Sequence, residues 1–184
     1  MSNEFDFTFK VVVVGNSGVG KTTMVQRFVT GKFLPFKKTI GADLSSYTVR
    51  LDEHIKVRLQ IWDFAGQAKF KSILPSYVRG ATGCVLCYDI TTESSFQILP
   101  QWHETVVKNT ENTTFLLVGC KQDLEEKYRR VDYSRAQEFQ KKYGISLLCE
   151  TSSKTGYNND LVFKELAKHI IKNNFPDSQF QIMF

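Results

Sequence analysis

Residues 15–22 combine three glycines with a lysine and a threonine, directly after an apolar run, and match the pattern GxxxxGK[ST]. Glycines let such a loop turn several backbone N–H groups toward one point, at the positive end of the following helix. Phosphate groups bind there. Lys21 would contact the terminal phosphates of a nucleotide, and the Thr22 hydroxyl would ligate Mg²⁺. The predicted phosphate-binding residues are Asn16, Ser17, Gly18, Val19, Gly20, Lys21, Thr22 and Thr23.

A carboxylate, a glycine and a glutamine follow the third strand-like run, at Asp63, Gly66 and Gln67. A carboxylate at the end of that strand could hold Mg²⁺ through water. Gly66 offers a backbone N–H where a side chain would obstruct the terminal phosphate. The Gln67 amide has a donor and an acceptor, enough to orient a water for in-line attack. The motif therefore predicts hydrolysis of a nucleoside triphosphate, with Gln67 as the catalytic residue.

The segment from Gly119 to Leu124 follows another apolar run and predicts which base is bound. Asp123 can accept two hydrogen bonds from the N1–H and the exocyclic amine of guanine, whereas adenine presents the opposite pattern. Lys121 would lay its aliphatic stem over the base. We therefore expect GTP and GDP as the bound nucleotides.

These motifs lie between strand-like and helix-like segments that alternate along the chain. The pattern predicts an α/β phosphate-loop NTPase with a six-stranded, mostly parallel sheet and about five flanking helices. The polar connection 51–55 predicts one antiparallel edge strand. Pro100 predicts a kink or a late start in the third helix. The predicted strands are 9–14, 44–51, 55–62, 84–90, 115–119 and 146–149, and the predicted helices begin after Gly20 and cover 69–78, 94–109, 134–143 and 159–173.

Length and composition indicate one domain, which we place at 8–173, with a short tail at 174–184. Four cysteines lack the spacing of a zinc site or a disulfide framework and favour a reduced, intracellular protein. The net charge of +5 comes from scattered residues, so no nucleic-acid partner is predicted. With neither a long apolar stretch nor a signal peptide at Met1–Phe5, we expect a cytoplasmic protein.

Over about residues 8–173 the chain resembles the small GTPases of the Ras superfamily, and the Rab family within it. Besides the phosphate loop, the segments that carry the resemblance are 39–44, 59–67, 77–81 and 88–91. The resemblance implies a small G domain that switches between GTP and GDP states in vesicle transport or signalling. It also implies exchange-factor, activator and effector proteins as partners at two switch regions, 33–44 and 63–78.

The same resemblance implies further site residues. Thr39 would be the switch threonine that ligates Mg²⁺ beside Thr22 and, through water, Asp63. Phe33 would pack beside the guanine. The loop at Ser152, Ser153 and Lys154 would bring backbone N–H groups to the guanine oxygen.

Four departures from the family pattern accompany the resemblance. Cys120 stands where the family usually has an asparagine that ties the base loop to the phosphate loop, and a thiol is a poor hydrogen-bonding group, so weaker nucleotide binding is expected. The first switch region is about one residue shorter than usual, and Pro35 stiffens it. Phe64 and Ala68 are unusual beside the second switch and predict altered regulator contacts. No cysteine follows Cys149, so membrane association through a prenylated tail, at the cytosolic face, stays open.

Two alternative functions stay open at the level of sequence. Cys120 and the altered switches would suit a nucleotide-binding scaffold with little or no hydrolysis, although Gln67 argues against it. A phosphate-loop ATPase or kinase would need neither Asp123 nor the 152–154 loop.

Overall fold

The computed structural model describes residues 5–34, 39–51, 53 and 55–176. Its sheet has six strands in the order β2-β3-β1-β4-β5-β6, and only the pairing of β2 with β3 is antiparallel. The predicted mostly parallel sheet with one antiparallel edge strand is therefore confirmed. The strands are β1 (Phe7–Gly15), β2 (Ala42–Arg50), β3 (Lys56–Phe64), β4 (Gly83–Asp89), β5 (Thr114–Cys120) and β6 (Leu147–Thr151).

Helices cover both faces of the sheet. The segment predicted as one helix over 94–109 is two helices, separated at Ile98, and Pro100 lies in the first turn of the second, where its missing N–H costs no hydrogen bond. A four-residue helix after the base loop was not predicted, because it is too short to show a period. The helices are α1 (Lys21–Thr30), α2 (Leu74–Val78) after a 3₁₀ turn (Ala68–Ile73), α3 (Glu93–Gln97), α4 (Leu99–Val107), α5 (Glu125–Tyr128), α6 (Tyr133–Lys142) and α7 (Asn159–Asn174).

The central strands are mostly apolar, and residues 11–15 of β1 and the whole of β4 are buried, as expected for strands that are covered on both faces. In β1, Val11 and Val13 belong to a core shared with α1 and α7, whereas Val12 and Val14 belong to a core under α2, α3, α4 and α6. The edge hairpin instead alternates, with buried Val57, Leu59 and Ile61 between more exposed neighbours. Strands covered on both faces are mostly apolar, whereas strands covered on one face alternate. The sequence pattern therefore distinguishes the two kinds of strand.

Residues near the two ends of the described part of the chain lie side by side. Phe175, just after α7, packs its ring 5.2 Å from that of Phe7 and 6.3 Å from that of Phe9. The predicted tail begins inside α7, at Asn174, and its residues 177–184 lie outside the described residues, as does Pro35. The domain boundaries therefore stay predictions. Among the described residues, no helix has the length and apolar character needed to cross a membrane.

The parallel strands all run toward one edge of the sheet, where the segments with the predicted site residues lie. β1 leads into the glycine-rich loop, β3 into Gly66 and Gln67, β5 into the base loop and β6 into the loop at 152–154. Loops at the carboxyl ends of parallel strands are where α/β sheets bind ligands.

Candidate nucleotide-binding site

A cavity of about 510 Å³ lies at this carboxyl edge and brings together segments that are far apart in sequence. Most of the predicted site residues line it. Asn16, Val19, Asp63 and Ser152 are not on its wall. The lining residues are Ser17, Gly18, Gly20, Lys21, Thr22, Thr23, Phe33, Thr39, Phe64, Ala65, Gly66, Gln67, Cys120, Lys121, Asp123, Leu124, Ser153 and Lys154.

Lys21 is held in place by the glycine-rich loop itself. Its Nζ donates hydrogen bonds to the carbonyl oxygens of Gly15 at 2.9 Å and Asn16 at 2.8 Å, and the residue is only 5% exposed. Burial lowers the pKa of Lys21, and the nearby Asp63 carboxylate opposes that effect. The ammonium is therefore fixed at the loop, in a position to bind an anion.

The loop needs glycines for two reasons that the structure shows. Gly15, Gly18 and Gly20 have φ values of 143°, 79° and 114°, which side chains disfavour. A Cβ on Gly15 would also overlap the carbonyl oxygen of Cys87 on β4. Val19, by contrast, points into the core beside α1 and is 1% exposed, so only its backbone is free to bind phosphate.

Three oxygen-bearing side chains converge beside Lys21. The hydroxyl oxygens of Thr22 and Thr39 lie 2.7 Å apart, and Thr22 Oγ1 also donates to Asp63 Oδ2. Asp63 Oδ1 is buried without a hydrogen-bond partner. Burial raises the pKa of Asp63 to about 6, although the hydrogen bond from Thr22 and the charge of Lys21 oppose the rise.

This arrangement fits a small divalent cation. Mg²⁺ prefers oxygen ligands and is held in nucleotide sites by one or two protein groups together with phosphate oxygens and water. In the described part of the chain, no group of three or more His, Cys, Asp or Glu side chains could hold a metal without such help. The unpaired oxygen of Asp63 is the group that a cation, or its bound water, would satisfy.

Gly66 lies against the glycine-rich loop. A Cβ there would overlap the backbone of Gly15, Asn16 and Ser17, so the close approach of two backbones requires a glycine. Its neighbour Gln67 donates from Nε2 to the carbonyl oxygen of Thr39 at 3.3 Å, which joins the two predicted switch regions. The sequence motif gave no sign of this backbone contact, because it depends on how β3 lies beside β1.

Asp123 is oriented by a buried serine. Ser152 Oγ donates to Asp123 Oδ1 at 2.6 Å and accepts from the backbone N–H of Thr155 at 3.2 Å. Ser152 is completely buried, so the structure places it behind Asp123 and not on the cavity wall. Ser153 and Lys154 do line the cavity.

Cys120 lies where the base loop meets the phosphate loop. It is 3% exposed and lines the cavity. A Cβ built on Gly20 would lie 3.5 Å from Cys120 Cβ and 3.8 Å from its Sγ. The two loops therefore come close at a thiol, which is a weak donor and a weak acceptor.

Sequence reasoning missed three residues that line the cavity: Phe64, Ala65 and Leu124. Phe64 and Ala65 are buried between two motifs. Their apolar type gave no chemical signal, although their position between Asp63 and Gly66 could have suggested them.

Comparisons with known proteins agree with this geometry. The family model described as "Ras family" matches residues 10–172. The chain is 45% identical over 170 residues to Ras-related protein Rab-30 of Homo sapiens, covering 91% of this chain and 82% of the relative. It is 40% identical over 172 residues to Ras-related protein Rab-19 of Xenopus laevis, covering 92% and 80%. It is 40% identical over 177 residues to Ras-related protein RAB1BV of Beta vulgaris, covering 95% and 81%.

The match covers the phosphate loop, both switch regions and the base loop together. It confirms the predicted fold class and rules out the ATPase or kinase alternative. It also favours a hydrolysing switch over the scaffold alternative. The chain therefore belongs to the Ras family and is a Rab-like small GTPase, an enzyme that binds GTP and GDP, hydrolyses GTP and acts as a molecular switch.

Proposed function

We propose that this GTPase serves intracellular membrane traffic from the cytosolic face of membranes, and that its switch is driven by Mg²⁺-bound GTP in the cavity described above. The observation that carries the proposed Mg²⁺-GTP switch is that Lys21, Gln67 and Asp123, from three separate segments, line one cavity, while Asp63 lies behind its wall and is hydrogen-bonded to Thr22. Each supplies a different part of what nucleotide hydrolysis needs: charge, a metal contact, water positioning and base selection.

In the proposed reaction the chain's own residues bind the nucleotide and orient the attacking water. Lys21 and the N–H groups of 16–23 hold the phosphates, and Asp123 selects guanine through its carboxylate. The Gln67 side chain leaves its carbonyl contact with Thr39 and orients the attacking water with its amide. Catalysis is then mainly positioning and charge stabilisation, which implies slow intrinsic turnover, roughly 10⁻⁴ to 10⁻² per second.

Thr22, Thr39 and Asp63 would hold the Mg²⁺, Asp63 through water. The ion supplies positive charge that offsets the charge of the phosphates. Thr39 and Gly66 also link the terminal phosphate to the two switch regions. Loss of that phosphate removes their partner, so the regions 33–44 and 63–78 relax into the GDP arrangement.

Chelating the metal tests this assignment. We expect excess EDTA to speed release of a fluorescent GDP analogue by about 10- to 100-fold, because charge-assisted contacts worth roughly 1.5 to 3 kcal/mol are lost. Stopped-flow fluorescence measures the rate, and excess Mg²⁺ added with the EDTA is the control. Equal release rates with and without chelator would show that these three side chains hold no metal that matters for binding.

Partner proteins are proposed to act at the switch regions. Ile40 and Leu44 are 78% and 56% exposed there, and Ile73 is exposed near α2. Such apolar side chains beside a ligand site suit exchange factors, activators and effectors. Among the described residues, no arginine lines the cavity. An activator would therefore supply the arginine that stabilises charge in the transition state.

Restoring the asparagine at Cys120 should slow nucleotide release. A Cys120→Asn amide could bond to the base and to the phosphate loop, which its position 3.8 Å from a Cβ on Gly20 allows. One or two such bonds are worth roughly 0.5 to 3 kcal/mol, or about 2- to 100-fold in dissociation constant. Stopped-flow displacement of a fluorescent GDP analogue measures the rate, with Cys120→Ala as the control that adds no hydrogen bond. A release rate from Cys120→Asn that is unchanged or faster would show that other contacts already compensate.

A further inference from the structure

The base loop is fastened to β4 by an ion pair that no sequence motif indicated. Asp89 is the last residue of β4 and lies in register with Cys120, the last residue of β5. Lys121 comes next, and its Nζ lies 2.6 Å from Asp89 Oδ2. The Asp89 side chain is 5% exposed and that of Lys121 is 37% exposed, so the carboxylate is the fixed partner and the lysine the tethered one.

Asp89 is itself held rigidly. Its Oδ1 accepts hydrogen bonds from the N–H of Thr91 at 2.8 Å and from the Thr91 hydroxyl at 2.7 Å, and its Oδ2 accepts from the Thr92 hydroxyl at 3.2 Å. Burial disfavours ionisation of Asp89, but the hydrogen bonds from Lys121 and Thr91 outweigh it and lower its pKa. The carboxylate is therefore charged at neutral pH and cannot swing away from the lysine.

Lys121, the other partner of the ion pair, has an unusual backbone conformation and lies on the cavity wall. Lys121 has a backbone φ of 68°, in the left-handed region that residues with a Cβ occupy rarely. Its side chain lines the cavity, while its ammonium is held at Asp89. The ion pair therefore stretches the aliphatic stem along the wall where a base would lie.

We propose that Asp89 is a positioning residue for guanine-nucleotide binding, acting through Lys121. The inference rests on the proposed use of this cavity. It also explains how the base loop stays in place although the Cys120 thiol is a poor link to the phosphate loop. The loop is anchored on its other side, to the end of β4.

An isosteric change separates the charge of Asp89 from its shape. Asp89→Asn keeps an oxygen that can accept from Thr91, but loses the charge that holds Lys121. We expect it to release a fluorescent GDP analogue about 3- to 10-fold faster than the wild type, with a nearly unchanged melting temperature. Thr91→Val removes one hydroxyl donor to Asp89 and leaves the charge in place, so its release rate should stay close to that of the wild type.

A double-mutant cycle tests whether Asp89 acts through the lysine. Lys121→Met removes the ammonium and keeps an apolar stem. In that background, Asp89→Asn should change the release rate by less than about twofold. If it accelerates release as much as it does in the wild type, or if Asp89→Asn alone leaves release unchanged, the positioning role is wrong.

A second variant covers the case in which Asp89→Asn lowers the melting temperature strongly. The cycle is then repeated with Asp89→Glu, which keeps the charge and displaces it by one methylene. Its release rate should lie above that of the wild type, and a rate equal to the wild type would overturn the inference. A wild-type protein that binds no GDP analogue would overturn the proposed use of the cavity and the role of Asp89 with it. If the wild type binds the GDP analogue but the effect of Asp89→Asn does not depend on Lys121, only the role of Asp89 is overturned.

Discussion

Replacing Lys21 with alanine should weaken binding of GTP and GDP by about 100-fold or more. The change removes a buried ammonium that the loop carbonyls hold at the site, so the loop meets the phosphates without a charge of its own. Charge-assisted hydrogen bonds to phosphate oxygens are worth about 1.5 to 3 kcal/mol each, so the loss of two such contacts to the nucleotide corresponds to a factor of about 100 or more. Equilibrium titration with a fluorescent GDP analogue measures the affinity.

Lys10→Ala is a matched control for this experiment. Lys10 also donates from Nζ to a backbone carbonyl, that of Arg79 at 2.7 Å, but it is not part of the cavity wall. Its loss should leave nucleotide affinity within about twofold. Equal affinities for the wild type and Lys21→Ala would contradict the assignment of the glycine-rich loop as the phosphate site.

Gln67→Leu should slow GTP hydrolysis by about 10- to 100-fold while leaving GTP binding nearly unchanged. Leucine has a similar size but cannot orient a water, and positioning of a reacting group contributes on this scale. Phosphate release in a single turnover of preloaded GTP measures the rate.

The control for this change is Gln101→Leu, which removes an exposed amide that accepts a hydrogen bond from Lys71, away from the cavity. It should hydrolyse GTP at the wild-type rate. Identical rates for the wild type and Gln67→Leu would remove Gln67 from the mechanism.

Much of the fold was readable because the sheet imposes two different hydrophobic patterns. Apolar runs indicated the inner strands β1, β4 and β5, and the alternation in β3 indicated a strand exposed on one face. The polar connection 51–55 indicated the antiparallel hairpin at the edge. The break at Ile98 followed from Pro100. Helix α5, with four residues, is too short to carry a periodicity, and it directly follows a 3₁₀ turn (Gln122–Leu124).

Candidate site residues could be named from the sequence where a residue type alone limits the chemistry, as with Lys21, Asp63 and Asp123, and their roles stay predictions. The sequence could not predict contacts that depend on packing between segments far apart along the chain. Gly66 is required by the backbone of residues 15–17, and Ser152 lies behind Asp123, because neighbouring strands bring their loops together. Asp89 lies in the segment 88–91 that carries the resemblance, but the sequence did not indicate its ion pair, since its partner Lys121 is 32 positions away along the chain.

The most direct test of the central claim is competition between nucleotides for the native protein. A fluorescent GDP analogue is bound in Mg²⁺ buffer and displaced with unlabelled GTP or ATP. Because Asp123 would leave a hydrogen-bonding mismatch with adenine, we expect ATP to need a concentration at least about 100-fold higher than GTP for half displacement. Displacement by ATP at the same concentration as GTP would contradict the assignment of this cavity as a guanine-nucleotide site.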